Sequence, residues 1–285
     1  MHLSQLARRS ATLLGLTTLL ALPISAQAAD LEPIGVDTPA PAVTSSATKL
    51  KAGSCVHPGD NLAAKPVEYR WKSRKTAWRA RPMLTSVSTY ARPTTKARKN
   101  GKLTQNTMHT GIEAYYLVLD ARQIGETCWM RMRMPAEPKQ RGGWVDRDDL
   151  QLSRTPWQIE VSLSKRTVTL YRKGQRKFST RAVIGKASTP TPTTRSNEPF
   201  AMYDAKRGMA SEFTGTWQLA MTARSAQDPD LGRIGIHGRG GASLSQAVGT
   251  AASHGCIRAN NASVNRIVRL IGLRNMLGIP VVITK

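Results

Sequence analysis

From about residue 62 onward, apolar side chains fall on every second position in short runs, and that period commits the chain to β structure. The clearest run is Trp157, Ile159, Val161 and Leu163, alternating with Gln158, Glu160 and Ser162, as a strand with one buried face requires. Ser164-Lys165-Arg166 reads as a turn, after which Val168 and Leu170 continue the alternation as a hairpin partner. Lys173-Gly174 turns the chain again, and Phe178 to Ile184 is expected as a third strand. Upstream, Tyr115 to Leu119 is an apolar, β-prone run. Cys128 to Met134 sets Cys128, Met130, Met132 and Met134 on one face and Trp129, Arg131 and Arg133 on the other. Gly142-Gly143 is a turn before the short strand at Trp144-Val145. Helical spacing is convincing once, at Val264, Ile267, Val268 and Ile271, with Asn260 or Asn261 as N-cap and Gly272 as stop. Pro280 to Thr284 is a closing strand. The fold class expected is therefore mainly β with one or two short helices: a small barrel over residues 62–153, then a second unit over 154–285.

The first 28 residues have the layout of an export signal. Arg8 and Arg9 precede an apolar stretch from Ala11 to Leu22, Pro23 breaks it, and Ala26-Gln27-Ala28 offers a small-x-small cleavage site. That stretch is too short to cross a bilayer, and no later run is apolar enough to do so. Residues 29–61, rich in Pro, Ala, Thr and Ser between Asp30 and Thr48, read as a flexible spacer. The expected product is exported and soluble, in the periplasm or cell wall.

Charge narrows the partners. Lys and Arg number 42 against 18 Asp and Glu, a formal net charge of +24 carried through both halves. Such a field favours polyanions. Export argues against nucleic acid and leaves anionic lipid heads or acidic cell-wall polymers. Arg70 to Arg81 interleaves Trp71 and Trp78 with basic residues, which suits sugars or phosphates, or else forms a solvated face over partly buried tryptophans. The three cysteines are Cys55, Cys128 and Cys256. In an oxidising compartment a Cys55–Cys128 disulfide would leave Cys256 as the odd, reactive thiol; the alternative is three buried thiols.

Chemistry is concentrated at Gly235-Ile236-His237-Gly238 and Ser253-His254-Gly255-Cys256-Ile257-Arg258. A thiol becomes a competent nucleophile when a base or a positive charge favours its thiolate, and His237, His254 and Arg258 supply both kinds of group. Gly255 permits close backbone approach, and amides beside the cysteine could face a developing oxyanion. That combination fits acyl transfer through a thioester. Two other readings stay open on these residues alone. His237, His254 and Cys256 could be metal ligands, although their spacing matches no common zinc pattern, or they could be buried structural groups. Gly238-Arg239-Gly240-Gly241 lacks the Lys-Ser/Thr ending of a phosphate loop.

His237 followed by Ser253-His254-Gly255-Cys256 resembles the signature of the L,D-transpeptidases, the YkuD-type cysteine enzymes of bacterial cell walls. Supporting likeness runs through the Ile159–Leu170 hairpin, Gly185-Lys186 with Thr189-Pro190-Thr191-Pro192, and Gly278-Ile279-Pro280-Val281. Residues 62–153 are more loosely similar to bacterial SH3-like modules, on Trp129 to Pro135 and Gly143-Trp144-Val145. The resemblance implies a β-sandwich catalytic domain with Cys256 as nucleophile and His237 as general base. It implies Ser253, His254 and Gly255 as supports of the loop and oxyanion site, and Gly238 and Arg258 as substrate contacts. No metal or organic cofactor is implied. Cys256 would attack the carbonyl before the terminal D-Ala of a tetrapeptide stem and release D-Ala. A neighbouring stem's amine would then resolve the thioester as a 3→3 cross-link. Resolution by water would make the enzyme an L,D-carboxypeptidase, and a non-catalytic basic wall-binding protein is the alternative of another class. The chain departs from the family's usual pattern at Thr193-Thr194-Arg195-Ser196, where a glycine is common. It carries Arg258 where some members have Asn, and a guanidinium there could grip a stem carboxylate.

Overall fold

The computed structural model describes residues 75–135, 142–194, 198–225 and 233–285. The expected export signal, the spacer, Cys55, Trp71, Arg195 and Ser196 lie outside them.

The first sheet is built from β1 (Ala77–Pro82), β2 (Ser86–Tyr90), β3 (Lys99–Thr104), β4 (Tyr116–Ile124), β5 (Thr127–Met132), β6 (Gly143–Asp146) and β7 (Leu150–Thr155). Its seven strands pair antiparallel in the order β3-β2-β6-β5-β4-β1-β7. Leu103, Val118, Met130, Met132, Val145 and Leu150 fill its core, so the methionine face of β5 is buried as its alternation requires. The opposite face is not left to solvent. Trp129 and Arg133 are buried too, because Arg133 donates from Nε to the Pro199 carbonyl (3.0 Å) and from Nη2 to that of Glu198 (3.1 Å). Arg131 pairs with the Glu198 carboxylate at 2.6 Å. The Arg70–Arg81 run is likewise not a free basic face where it is described. Arg79 is buried and donates to the carbonyls of Leu277 (2.9 Å) and Asn275 (3.3 Å), Arg81 pairs with Glu113, and Arg154 stacks on Trp78. Cys128 is disulfide-bonded and Cys256 is a free thiol.

The second unit contains β8 (Trp157–Ser162), β9 (Thr167–Arg172), β10 (Gln175–Arg181), β11 (Ile184–Gly185), β12 (Phe200–Arg207), β13 (Trp217–Arg224), β14 (Arg233–His237), β15 (Ala251–Ser253), β16 (Ile257–Arg258) and β17 (Pro280–Thr284). Eight of these strands form one mixed sheet in the order β10-β9-β8-β17-β12-β13-β14-β16, and β11 and β15 pair separately in parallel. The closing strand β17 lies parallel to β8, register Val281↔Ile159, which brings the end of the chain into the centre of the sheet. Two short helices follow the last edge strand: α1 (Asn261–Ile271) and α2 (Leu273–Met276). Val264, Ile267, Val268 and Ile271 of α1 are buried in the same core as Ile159, Val161, Leu219, Ile236 and Ile257. Gly272 ends α1 at φ +78°, where a side chain would be strained, and its N–H closes on the Val268 carbonyl (2.8 Å). The expected strand from Phe178 to Ile184 breaks in two. After Arg181 the backbone leaves β9, Val183 exchanges hydrogen bonds with Arg258, and β11 turns to β15. Among the described residues no helix is long and apolar enough to cross a membrane.

Candidate active site

Two adjacent strands position the candidate residues. β14 runs antiparallel to β13 on one side and parallel to β16 on the other, with Ile236 opposite Ile257 and His237 opposite Arg258. Ile236 and Ile257 are fully buried, and burying that pair sets the register. Cys256, one residue before β16, is brought alongside Gly235.

The loop entering β16 is held from inside. Ser253 is fully buried; its Oγ accepts from the Gly255 N–H (3.1 Å) and donates to the Cys256 carbonyl (2.5 Å). Thr191 Oγ1 donates to the Gly255 carbonyl (2.8 Å) and accepts from the Gly185 N–H (2.9 Å). The Ser253 carbonyl accepts from the Lys186 N–H and from Thr189 Oγ1. Gly255 sits at φ +110°, a backbone angle that favours glycine, and a Cβ there would also push the end of the Ile234 side chain, 2.7 Å away. The carbonyls of three of the four loop residues are thus fixed from below, which leaves the cysteine little freedom.

His237 is 2% exposed. Its Nδ1 lies 2.7 Å from the Gly238 carbonyl, which can only accept, so Nδ1 carries the proton and Nε2 keeps its lone pair. Burial dominates its titration and lowers the pKa to about 4; the Gly238 and Thr214 backbone bonds oppose this, and the Arg258 charge reinforces it. The imidazole is neutral at pH 7. Burial pushes the Cys256 thiol up, while a hydrogen bond from the Gly235 backbone and the Arg258 charge pull it down. The resting pair is therefore thiol and neutral imidazole rather than a thiolate–imidazolium ion pair.

Arg258 is 3% exposed, donates from Nη1 to Gln246 Oε1, and lies 4.6 Å beneath the Phe213 ring centroid. Phe213 also packs against the His237 ring, centroids 6.3 Å apart. Gly238 is enclosed: a Cβ would collide with Asn261 Oδ1, and its N–H donates to the Trp217 carbonyl (3.1 Å). Asn261, the first residue of α1, accepts at Oδ1 from the N–H groups of Thr216 (3.2 Å) and Arg239 (3.1 Å) and so ties the helix to the His237 loop. His254 is exposed. Among the described residues no group of three or more His, Cys, Asp or Glu could hold a metal ion.

Sequence reasoning missed Thr191, Phe213, Gln246 and Asn261. Thr191 stood inside the Thr-Pro-Thr-Pro stretch, but nothing local marked its hydroxyl as a tie to Gly255. The other three come from separate segments that only folding brings together.

The sequence matches the YkuD family, an L,D-transpeptidase catalytic domain, over residues 156–283. No curated protein matches. Among similar solved structures is the catalytic domain of the Enterococcus faecium L,D-transpeptidase, 23% identical, with 45% of this chain and 96% of that chain covered and a TM-score of 0.31. A serine-for-cysteine variant of the E. faecium L,D-transpeptidase is 19% identical over 45% of this chain, TM-score 0.32, and this chain spans about half (50%) of its length. L,D-transpeptidase 3 of Mycobacterium tuberculosis, in complex with a faropenem-derived adduct, is 13% identical, with 56% of this chain and 91% of that chain covered and a TM-score of 0.36. Residues 156–283 of this chain belong to the YkuD family of L,D-transpeptidase catalytic domains.

Proposed function

We propose that this protein is an exported cysteine L,D-transpeptidase that cross-links peptidoglycan stems. The observation that carries the reading is the parallel register of β14 and β16, which sets a buried, neutral His237 beside the strand that Cys256 opens. In the first half-reaction Cys256 Sγ attacks the carbonyl carbon before the terminal D-Ala of a tetrapeptide stem. The thiol proton passes to His237 Nε2. The C–N bond breaks, His237 returns the proton to the departing D-Ala amine, and an acyl thioester remains. In the second, a stem side-chain amine attacks the thioester, its proton passes through His237, and the C–S bond breaks to restore the thiol.

The Gly255 N–H is given to Ser253 Oγ, so the Cys256 amide is the donor beside the sulfur that can receive the oxyanion. Arg258 acts as a buried positive charge behind the thiol: it favours the thiolate as it forms and resists a resting imidazolium. This differs from a clamp on the stem carboxylate, for which the side chain is too enclosed. Residues 1–28 serve as the export signal, and the N-terminal sheet is an SH3-like module. No cofactor takes part.

Incubation of the mature protein with disaccharide-tetrapeptide fragments, followed by mass spectrometry, tests this. Release of D-Ala with a cross-linked dimer, absent with Cys256→Ala, is the expected result. Trimmed monomer alone would make the protein an L,D-carboxypeptidase. No product with folded, reduced protein would overturn the enzymatic reading in favour of a wall-binding protein.

A further inference from the structure

The edge of the catalytic sheet farthest from β16 is β10, and its hairpin with β9 exposes Arg172, Lys173, Arg176, Lys177 and Arg181. No Asp or Glu occurs between Glu160 and Glu198 or after Asp230, so the hairpin and the helix beside it contain no acid. That helix is α1: Thr180 Oγ1 and Ser263 Oγ are 2.9 Å apart, and the exposed Arg266 stacks on Phe178 at 4.9 Å. The first sheet is different, since its arginines meet acids in Arg81–Glu113, Arg122–Asp120, Arg131–Glu198 and Arg133–Glu198. Among the described residues none of the rim cations takes part in an ion pair with a carboxylate.

Charges on an edge strand deter pairing with another sheet, and that accounts for some of the hairpin. It does not account for Arg266, which is on a helix. The cations also bracket the edge. Phe178 and Thr180 lie opposite the buried Leu170 and Val168, on the face that meets α1, whereas Ser179 and Arg181 lie opposite Thr169 and Thr167, on the other face. Positive charge thus wraps from one side of the sheet to the other. A planar bilayer can touch only one side of such a rim, whereas a flexible chain can follow it. Guanidinium groups suit phosphate, because their forked N–H groups match its oxygens.

We infer that the β9–β10 edge and the outer face of α1 form a docking surface for a linear polyanion with repeating phosphate groups along its backbone. Binding there displaces condensed counterions and relieves the mutual repulsion of the rim. The surface also continues toward the site, since β10 runs directly into Val183, which pairs with Arg258. The inference goes beyond the proposed reaction and does not depend on it.

The test measures binding of long-chain inorganic polyphosphate to the full mature chain across a salt series. Two triple variants each remove three exposed charges: Lys173→Gln/Arg176→Gln/Lys177→Gln on the rim, and Lys96→Gln/Lys99→Gln/Lys102→Gln on the first sheet. At ~0.7 per phosphate contact, the rim variant should lose about two from the slope of log affinity against log salt, and roughly tenfold or more in affinity. The control variant should change by less than about twofold, and Cys256→Ala should bind as wild type. Equal loss in both triple variants would reduce the effect to net charge and overturn the docking surface. So would absence of polyphosphate binding at ~50 mM salt, or preference for phosphatidylglycerol vesicles over polyphosphate.

Discussion

Arginine is buried in both sheets, but it ends on different partners. Arg79 in the first sheet finishes on two backbone carbonyls of the second unit and stacks on Tyr115, and Arg133 finishes on the carbonyls of Glu198 and Pro199 beside the Glu198 carboxylate. Each of these side chains satisfies acceptors that would otherwise be stranded where the two sheets meet. Arg258 in the second sheet is buried as deeply, yet its side chain meets one neutral acceptor, Gln246 Oε1, and the face of Phe213. A buried cation that is not fully partnered costs stability, and one kept beside a nucleophile offsets that cost only when negative charge develops there. The first sheet uses these arginines for cohesion, and in the proposed mechanism the second holds Arg258 for the thiolate.

The largest effect that could sharpen this contrast comes from His237→Ala. Loss of the base should slow D-Ala release by roughly a thousandfold, within the ~10²–10⁴ range of general base catalysis, when assayed below the variant's melting temperature. Next is the pair Arg258→Met and Arg79→Met. Arg258→Met should reduce kcat/KM about tenfold or more while leaving stability equal or higher, because it removes an incompletely partnered buried charge. Arg79→Met should do the reverse, costing about 2 kcal/mol by stranding two carbonyls and leaving kcat/KM unchanged below the melting temperature. If the two variants behaved alike in denaturant titration and kinetics, the contrast would fail.

The third expectation concerns pH. His237 has a folded pKa of about 4 against an ordinary 6.5, so between these values the unfolded chain binds the extra proton. Stability from this group is full above pH ~6.5 and is lost as pH falls toward about 4, by about 3 kcal/mol in all. His237→Gln should flatten that part of the stability curve, and wild-type kcat/KM should keep its acid limb near pH 4 rather than near 6.5. The smallest effect belongs to Arg258→Lys. A charge-support role predicts a loss of only a few fold in stem turnover, whereas a bidentate grip on a substrate carboxylate predicts a loss close to that of Arg258→Met.

Periodicity was a good guide to elements whose neighbours do not decide their form. The spacing of Val264, Ile267, Val268 and Ile271 marks a helix, Gly272 ends it, and Pro280–Thr284 is a strand, because each pattern repeats with the period of its own backbone. The same reasoning failed at Phe178 to Ile184. Composition there is β-prone throughout, and only the competing partners Arg258 and Ala251 pull Val183 and Ile184 away from β9. It also separates Arg131 and Arg133 from the methionine face without showing what lies over them, since alternation identifies the two sides of a strand but not what covers the second.

Cys256 and His237 stand out in the sequence as candidates because a thiol, an imidazole and a glycine-rich turn are chemically distinctive groups at a characteristic spacing. Their protonation states were not. A neutral His237 follows from burial, the Gly238 carbonyl and the nearness of Arg258, which depend on the parallel pairing of two strands nineteen residues apart at Cys256 and His237. Thr191, Phe213, Gln246 and Asn261 reach the site from four different segments for the same reason. The order of amino acids determined which groups could react and which stretches would be strand or helix, because those properties are local. Tertiary structure decided which charges are buried, which are satisfied and which are left exposed along the β10 rim, because solvent exclusion and strand register are set by contacts between distant parts of the chain.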